Sequence, residues 1–382
     1  MSTDVENPKT STDSWQRIAS ELLNQAGIEI NGTRPYDIQV HNNEFFKRVL
    51  QQGSLGLGES YMDGWWDCER LDMFFDRVLR AKLDKKLPNN LTDIMKIAMA
   101  RLRNLQTKKR SWMVGEEHYD LGNDLFSRML DPNMQYSCGY WNNADNLAQA
   151  QENKLDLICR KLALKPGIRL LDIGCGWGGL SAYAARHYHV SVTGVTISKE
   201  QQKLAQQRCQ GLDVNILLQD YRDLNDKFDR VVSVGMFEHV GPKNYATYFD
   251  VVRRNIKNDG LFLLHSIGSN EHKVNVDAWT GKYIFPNGCL PSIENIAHAS
   301  EGKFIMEDWH NFGADYDRTL MAWYERFLST WEEIEQNYTP RFKRMFSYYL
   351  NACAGAFRAR DIQLWQILWS PEGVSGGIRV PR

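Results

Sequence analysis

Three features of the sequence contain residues that could do chemistry together: a glycine-rich loop, an acid with a histidine, and a cysteine among aromatic residues. The loop LLDIGCGWGGL contains Gly174 and Gly176. Glu238 lies in GMFEHVG, and His265 lies in LFLLHSI. Cys138 lies in MQYSCGYW, where it could be a nucleophile, a metal ligand or a packed thiol. Which of these it is depends on the chemistry that the other residues support.

The glycine loop predicts a nucleotide-like ligand other than NAD. Gly174, Gly176 and Gly179 satisfy the GxGxxG pattern of dinucleotide sites. Such sites also need an acidic residue at the end of the second strand, about 20 residues further on, and here that strand ends in GVTIS. Asp172, followed by backbone N–H groups that no Cβ shields, suits a ligand with a cationic amino-acid portion, such as S-adenosylmethionine. A tight turn without a ligand is the alternative.

Polar residues at three further strand ends would face the same crevice, because doubly wound sheets bind ligands at the carboxyl ends of their strands. Gln219 and Asp220 follow the third predicted strand, where they could recognise an adenine. Glu238 and His265 come at the ends of the fourth and fifth. Singly, Glu238 could be a carboxylate near a helix start and His265 a core histidine. Together they indicate an ionisable site.

The elements that must position these residues follow an alternating pattern. After about residue 118, short apolar or β-branched segments alternate with helix-like segments, which predicts an α/β fold with a mostly parallel, doubly wound sheet. The predicted strands are Arg169–Ile173, Ser191–Val195, Val214–Gln219, Asp229–Gly235 and Leu261–Ile267. The residues between 14 and about 110 are mostly helical in pattern, apart from the glycine-rich GSLGLGESYMDGWWD.

Composition narrows the classes of protein and partner. The 382 residues are 43% hydrophobic and carry a formal net charge of -1, so no overall field selects nucleic acid. Residues 77–110 contain eleven Lys or Arg against two Asp. Within them, LTDIMKIAMARLRNLQTKK has helical spacing, which indicates either a surface helix or a basic amphipathic helix that meets anionic lipid. The seven scattered cysteines predict reduced thiols in a cytoplasm. No signal peptide or membrane-spanning run is expected.

Several long motifs resemble those of bacterial cyclopropane-fatty-acyl-phospholipid synthases, from about Trp15 to the C-terminus. They are GSLGLGESYMDGWWD, EEHYDLGNDLFSRMLDPNMQYSCGYW, LLDIGCGWGGL, GVTISKEQQ, MFEHVG, NFGADYDRTLMAWYERF and YYLNACAGAFRARDIQLWQ. The resemblance implies a Rossmann-like class I methyltransferase fold with a smaller, mainly helical N-terminal domain. It divides the chain into a helical domain for lipid binding or dimer contact (1–100), a basic linker (101–117) and a catalytic domain (118–382).

The resemblance also implies the reaction and its residues. The family transfers the methyl group of S-adenosylmethionine to the cis double bond of a phospholipid acyl chain, and loss of a proton to a bound bicarbonate closes a cyclopropane ring. The expected bicarbonate contacts are Cys138, Glu238, His265, Tyr316 and the backbone of Ile267. The expected cosubstrate contacts are Tyr136, Ser137, Asp172, Gly174, Gly176, Thr196, Ser198, Gln201, Gln219, Asp220 and Tyr221. Cys353 is a further catalytic candidate, although NACAGAF is typical of a packed helical thiol.

The resemblance further implies a cytoplasmic homodimer that associates peripherally with the inner face of the cytoplasmic membrane. Neither a metal nor a nucleic-acid partner is expected. Three alternatives stay open from the residues alone. The first is an NAD-dependent oxidoreductase, which lacks its ribose-binding acid. The second is an S-adenosylmethionine-dependent methyltransferase of a soluble small molecule, which leaves the basic region unexplained. The third is a non-catalytic lipid-binding protein, which would not need Glu238, His265 and the glycine loop together.

Overall fold

The computed structural model describes residues 9–86, 123–272 and 276–382. The predicted linker at 101–117, and the part of the basic stretch beyond residue 86, lie outside these described residues. The chain forms two compact units. The helical unit combines residues 9–86 with Asp277–Pro286 and Trp331–Asp361, and the sheet unit contains the other described residues.

The helical unit is therefore built from three separate segments of the chain, whereas the sequence predicted a single N-terminal segment. Its elements are α1 (Lys9–Gln25), β1 (Gln39–Val40), α2 (Glu44–Met62), β2 (Trp66–Asp67), α3 (Leu71–Arg80), α9 (Ala278–Tyr283), α12 (Trp331–Ile334) and α13 (Pro340–Arg358). Close packing of α13 on α3 explains why the later segments belong here. A Cβ on Gly355 would lie 2.5 Å from Cβ of Phe75, and Arg358 forms a 2.6 Å ion pair with the buried Asp72.

The sheet unit contains a seven-stranded sheet in the order β5-β4-β3-β6-β7-β9-β8. The strands are β3 (Arg169–Ile173), β4 (Ser191–Thr196), β5 (Val214–Leu218), β6 (Phe228–Val234), β7 (Ile256–Ser269), β8 (Ile305–Asn311) and β9 (Ile362–Ser370). Strands β3 to β7 are parallel and match the five predicted strands. Strand β9 runs antiparallel to β7 and to β8. Neither β8 nor β9 was predicted.

Helices of this unit cover both faces of the sheet. They are α4 (Asn123–Met129), α5 (Leu147–Lys161), α6 (Gly179–Tyr188), α7 (Lys199–Arg208), α8 (Tyr245–Asn255), α10 (Ile293–Ser300) and α11 (Ala314–Ser329). Consecutive residues of β3 enter different cores, because side chains alternate across a strand. Leu170 packs with Leu180 of α6, and Leu171 packs with Phe249 of α8. The predicted doubly wound α/β fold is confirmed.

Two features are absent from the described residues. No helix there is both long enough and apolar enough to cross a bilayer. No group of three or more His, Cys, Asp or Glu side chains there could hold a metal ion.

Candidate active site

The glycine loop joins β3 to α6 in backbone conformations that favour glycine. Gly174 and Gly176 have φ angles of 84° and 55°. The N–H groups of Gly174 and Cys175 both donate to the Val195 carbonyl of β4, which holds the loop against the neighbouring strand. A Cβ at Gly174 would lie 2.8 Å from Cγ of Met236, whereas one at Gly176 would meet nothing within 4 Å. The loop therefore has open space at Gly176, where a ligand could approach the backbone.

Asp172 is buried at the carboxyl end of β3. Its carboxylate accepts a 2.7 Å hydrogen bond from the Ser181 hydroxyl of α6. Burial raises the pKa of Asp172 to about 6, although the Ser181 hydrogen bond and the charge of Lys154 oppose the rise. The predicted acid is therefore in place beneath the loop, and it is held by the helix that the loop begins.

Thr196, Ser198 and Gln201 form one buried network where β4 leads into α7. The Thr196 hydroxyl donates to Gln201 Oε1 over 2.8 Å. Ser198 caps α7 by accepting the Gln201 N–H, and its own N–H donates to Thr196 Oγ1. This network fixes the Gln201 side chain at the end of β4, where the sequence lacks an acid.

The segment after β5 contains Gln219, Asp220 and Tyr221, as predicted. The Gln219 N–H donates to the Thr196 carbonyl, which places this segment beside the β4 network. The Asp220 carboxylate is engaged by Arg222, whose guanidinium donates to its two oxygens over 2.8 and 2.6 Å. Adenine recognition by this carboxylate was predicted from its position, and the structure shows Arg222 as its partner within the chain.

The segment 134–141 packs against α11. The Thr319 hydroxyl accepts hydrogen bonds from the Gly139 N–H over 3.0 Å and from Trp141 Nε1 over 2.9 Å. Cys138 is fully buried, and its thiol donates to the Gly139 carbonyl over 3.2 Å. Burial raises the pKa of Cys138 well above its usual value, so the sulfur is a neutral thiol. Thr319 and the charge of Lys154 oppose this rise without overcoming it, so the thiol is not an activated nucleophile.

Glu238 follows β6 in a short 3₁₀ turn, and its carboxyl group is buried. The Ile267 N–H donates to Glu238 Oε1 over 2.7 Å. Its other oxygen, Oε2, has no hydrogen-bond partner among the described residues. Burial raises the pKa of Glu238 to about 7 despite the Ile267 hydrogen bond. The carboxyl group therefore exchanges its proton much closer to neutrality than an exposed glutamate does. The Ile267 backbone, predicted to contact bicarbonate, thus donates its N–H to Glu238.

His265 of β7 also has a buried polar atom without a hydrogen-bond partner among the described residues. Gln366 Nε2 of β9 lies 3.2 Å from His265 Nδ1, and with the amide in this orientation the neutral imidazole carries its proton on Nε2. His265 Nε2 has no partner within the described part of the chain. Burial lowers the pKa of His265 well below its usual value. The histidine is therefore a neutral, buried donor rather than a satisfied core residue.

Aromatic side chains connect these parts. Phe312 lies 5.9 Å from the His265 ring between centroids. On α11, Trp323 lies 5.2 Å from Tyr136 and 6.0 Å from Tyr316. A Cβ at Gly235, directly after β6, would lie 4.0 Å from Cβ of Ser137. The sheet unit thus gathers the glycine loop, the segment 134–141, and the ends of β6 and β7 in one region.

Cys353, the remaining predicted candidate, lies on α13, which belongs to the helical unit. It is partly buried. Burial raises the pKa of Cys353 to about 12, which disfavours the reactive thiolate.

Three residues of this region escaped the sequence analysis. Lys154 donates to Ser137 Oγ, Thr319 holds the segment 134–141, and Gln366 orients His265. All three are fully buried. A polar residue inside an otherwise apolar helix or strand was the available signal, although such residues are also common on solvated faces.

Comparison with known proteins gives the family. Residues 106–367 match the family model of mycolic acid cyclopropane synthetase. The chain belongs to this family. It is also 70% identical over 378 residues to the cyclopropane-fatty-acyl-phospholipid synthase of Escherichia coli K12, with 99% of each chain covered. A probable fatty acid methyltransferase of Pseudomonas putida is 41% identical over 66% of this chain and 67% of its own.

Solved structures of cyclopropane synthases support the same family assignment. The cyclopropane synthase MmaA2 of Mycobacterium tuberculosis has a TM-score of 0.65 at 32% identity, over 70% of this chain and all of its own. Mycolic acid cyclopropane synthase CmaA1, solved with SAH and CTAB, has a TM-score of 0.64 at 31% identity, over 68% of this chain and 98% of its own. These matches confirm the resemblance and the class I methyltransferase fold. The chain is an S-adenosylmethionine-dependent methyltransferase, which excludes the oxidoreductase and the non-catalytic alternatives.

Proposed function

We propose that the enzyme transfers a methylene group from S-adenosylmethionine to the cis double bond of acyl chains in membrane phospholipids, and that a bicarbonate held in the sheet unit accepts the released proton. The proposal rests mainly on two buried polar atoms, Glu238 Oε2 and His265 Nε2, which have no hydrogen-bond partner among the described residues. Buried polar groups are normally hydrogen-bonded. One of these atoms lies in the turn after β6 and the other on β7 opposite the last residue of β6, which supports a bound polar group there.

The residues fit S-adenosylmethionine, which supplies an electrophilic methyl group on a sulfonium. Gly176 leaves its backbone open to the ligand, and Gly174 and Asp172 lie at the same turn. The buried amide of Gln201, fixed by Thr196 and Ser198, suits a ribose hydroxyl. Tyr221 adds an aromatic face beside Gln219 and Asp220. Tyr136 and Ser137 complete the proposed contacts.

The residues also fit a small oxyanion. His265 offers an N–H donor, and Glu238 offers an O–H donor when protonated or an acceptor when ionised. Cys138 and Tyr316 are both buried and complete the proposed anion contacts. Held in this way, a bicarbonate oxygen supplies the base that the reaction needs. The role of the chain is to orient that oxygen and to keep water from trapping a carbocation.

The aromatic cluster suits the cationic stage of the reaction. An alkene that accepts a methyl group becomes a carbocation, and aromatic faces stabilise a desolvated cation by up to about 2 kcal/mol. The candidate rings are Tyr136, Trp323 and Tyr316, which form consecutive ring contacts, and Phe312, which contacts the His265 ring.

The decisive experiment uses vesicles of cis-unsaturated phospholipid, S-adenosylmethionine and the purified enzyme. Acyl chains heavier by one methylene, detected by mass spectrometry, are expected. Unchanged lipids in the presence of an enzyme that binds the cosubstrate would contradict the acceptor and favour a soluble one.

A second experiment tests whether the reaction requires bicarbonate. Removal of dissolved carbon dioxide with argon is expected to abolish turnover, and added bicarbonate is expected to restore it. Turnover that persists in carbonate-free buffer would contradict the anion and leave the acceptor intact.

We further propose that the helical unit makes a peripheral contact with the cytoplasmic membrane and that the enzyme works as a homodimer. Exposed Lys82, Lys85 and Lys86, close in sequence after α3, support attraction to anionic lipid. The mass in solution, measured by sedimentation, tests the dimer.

A further inference from the structure

Lys154 is a buried lysine on α5 that the reaction described above does not use. It is fully buried, and its ammonium donates to Gln135 Oε1 over 2.5 Å and to Ser137 Oγ over 2.9 Å. Within the described ranges, Lys154 forms no ion pair with a carboxylate. A buried charge without a close counter-charge is expensive, so its retention points to a partner or a role.

The two carboxylates whose charge reaches Lys154 are engaged elsewhere. Asp131 accepts the backbone N–H groups of Asn133 and Gln135, each over 2.8 Å. Asp172 accepts the Ser181 hydroxyl. Burial lowers the pKa of Lys154 to about 8, because these carboxylates only partly offset the loss of hydration. The lysine is still mostly cationic at neutral pH, and its charge is incompletely balanced by its neighbours.

The contact with Ser137 determines what that serine can do. An ammonium has only donors, so Ser137 Oγ must accept from Lys154, and the hydroxyl proton of Ser137 must point to another acceptor. The backbone carbonyl of Ser137 is held by Gln151 Nε2 over 2.8 Å, which fixes the residue in place. Ser137 lies next to Gly235 at the end of β6. A hydroxyl backed by a cation is a strong donor to an anion.

We propose that Lys154 is a positioning residue that presents the Ser137 hydroxyl, and its own positive charge, to the carboxylate of the methionine portion of S-adenosylmethionine. The inference deepens the cosubstrate half of the proposed function. It does not depend on the lipid acceptor or on bicarbonate. It predicts that removing Lys154 weakens binding only of ligands that carry this carboxylate.

The test compares two ligands that differ by that single group. Wild type and Lys154→Met are titrated by calorimetry with S-adenosylmethionine and with decarboxylated S-adenosylmethionine, in the absence of lipid. The expected result is at least a tenfold weaker affinity of Lys154→Met for S-adenosylmethionine and an unchanged affinity for the decarboxylated ligand. Equal losses for both ligands would show a purely structural role and overturn the proposal, as would no loss for either.

Two further variants make the result specific. Lys161→Met removes another buried lysine of the same helix, one that contacts His310 over 3.0 Å, and it should keep the wild-type ratio of the two affinities. If Lys154 acts through the serine, Ser137→Ala should lower the affinity for S-adenosylmethionine, and the double variant should lose little more than Lys154→Met alone. Additive losses would contradict action through Ser137. Because binding is measured without lipid, failure of cyclopropanation would leave this result unaffected.

Discussion

Glu238 shows how burial of one carboxyl group links the reaction to stability. Its pKa rises to about 7 from an ordinary value of 4.5. Between these values the folded protein holds a proton that the unfolded chain has released, so unfolding becomes more favourable as pH rises through this window. Each pKa unit corresponds to about 1.4 kcal/mol. The ionised Glu238 therefore lowers the free energy of unfolding above pH 7, and a ligand that satisfies it should recover part of that loss.

Glu238→Gln should lose turnover and become more stable at alkaline pH. Glutamine keeps an oxygen for the Ile267 N–H but cannot ionise, so we expect normal affinity for S-adenosylmethionine with little or no product. The free energy of unfolding, measured in urea, should exceed that of wild type by up to about 3 kcal/mol at pH 8. The difference should disappear towards pH 4.5, which serves as the control. Intact turnover would remove the proposed anion contact.

Cys138→Ser should retain part of the activity. A hydroxyl can replace the thiol as donor to the Gly139 carbonyl, although it is smaller and more costly to bury. We expect turnover within about tenfold of wild type and normal cosubstrate affinity, measured by product formation and calorimetry. Complete loss in a folded serine variant that binds S-adenosylmethionine would reopen a nucleophilic role.

Single site residues could be predicted from the sequence where an ionisable side chain stands close to a recognisable strand. Glu238 and His265 could be chosen because each ionisable group closes a recognisable strand. Gln366 and Lys154 could not, since their significance lies in the atoms they meet: His265 Nδ1 and Ser137 Oγ come from distant parts of the chain. Asp220 could be predicted from its position, but its pairing with Arg222 could not, because that contact depends on a local turn that the sequence spacing does not specify.

Among the elements, β9 was not predicted although it contributes Gln366 to the site. Gln366 is paired in register with His265 of β7 and with His310 of β8. Directly paired residues of antiparallel strands project to the same face, so these three residues form one polar row across the sheet. The row passes through Gln366, which is the contact that fixes the His265 tautomer.

Gln366→Leu should therefore impair the chemical step selectively. Without the donor to Nδ1, the His265 ring can adopt either tautomer, and we expect kcat to fall about tenfold while the affinity for S-adenosylmethionine stays unchanged. Steady-state kinetics and calorimetry separate the two quantities. The matched control is Gln363→Leu on the same strand, where an odd offset of three residues directs the side chain to the other face. An equal fall in both variants would mean that β9 was merely disrupted.

The strands that could be predicted share one property: β3 to β7 are buried, parallel and alternate with helices, so their apolar runs stand out. In β9 every residue after the first is buried, yet its sequence IQLWQILWS contains two glutamines and directly follows a helix. Strand β8 is an edge strand with polar and half-buried residues, IMEDWHN. Antiparallel additions of this kind lack the regular alternation that reveals a doubly wound core.

For the whole molecule, the charge of the helical unit predicts salt-dependent membrane binding. Replacing exposed Lys82 and Lys85 by Gln should weaken binding to anionic vesicles at low salt, and the difference from wild type should shrink as salt rises, because counterions screen exposed charges. Vesicle sedimentation measures both effects. Replacing exposed Lys165 and Lys203 of the sheet unit by Gln is the charge-matched control. Equal weakening by both pairs would assign the effect to net charge rather than to the helical unit.

The three-segment helical unit has a consequence for how the protein is made. Its first helices leave the ribosome more than 250 residues before α13, which packs on α3 through Gly355 and Arg358. Until α13 is synthesised, the surface of α3 on which it packs stays exposed. Chaperones would therefore have to protect the N-terminal segment while the residues of the sheet unit are translated. The same geometry rules out a clean excision of the catalytic domain. A gene fragment that starts after residue 118 would still encode α13 but would lack its packing partner, and expression of that fragment should give insoluble protein.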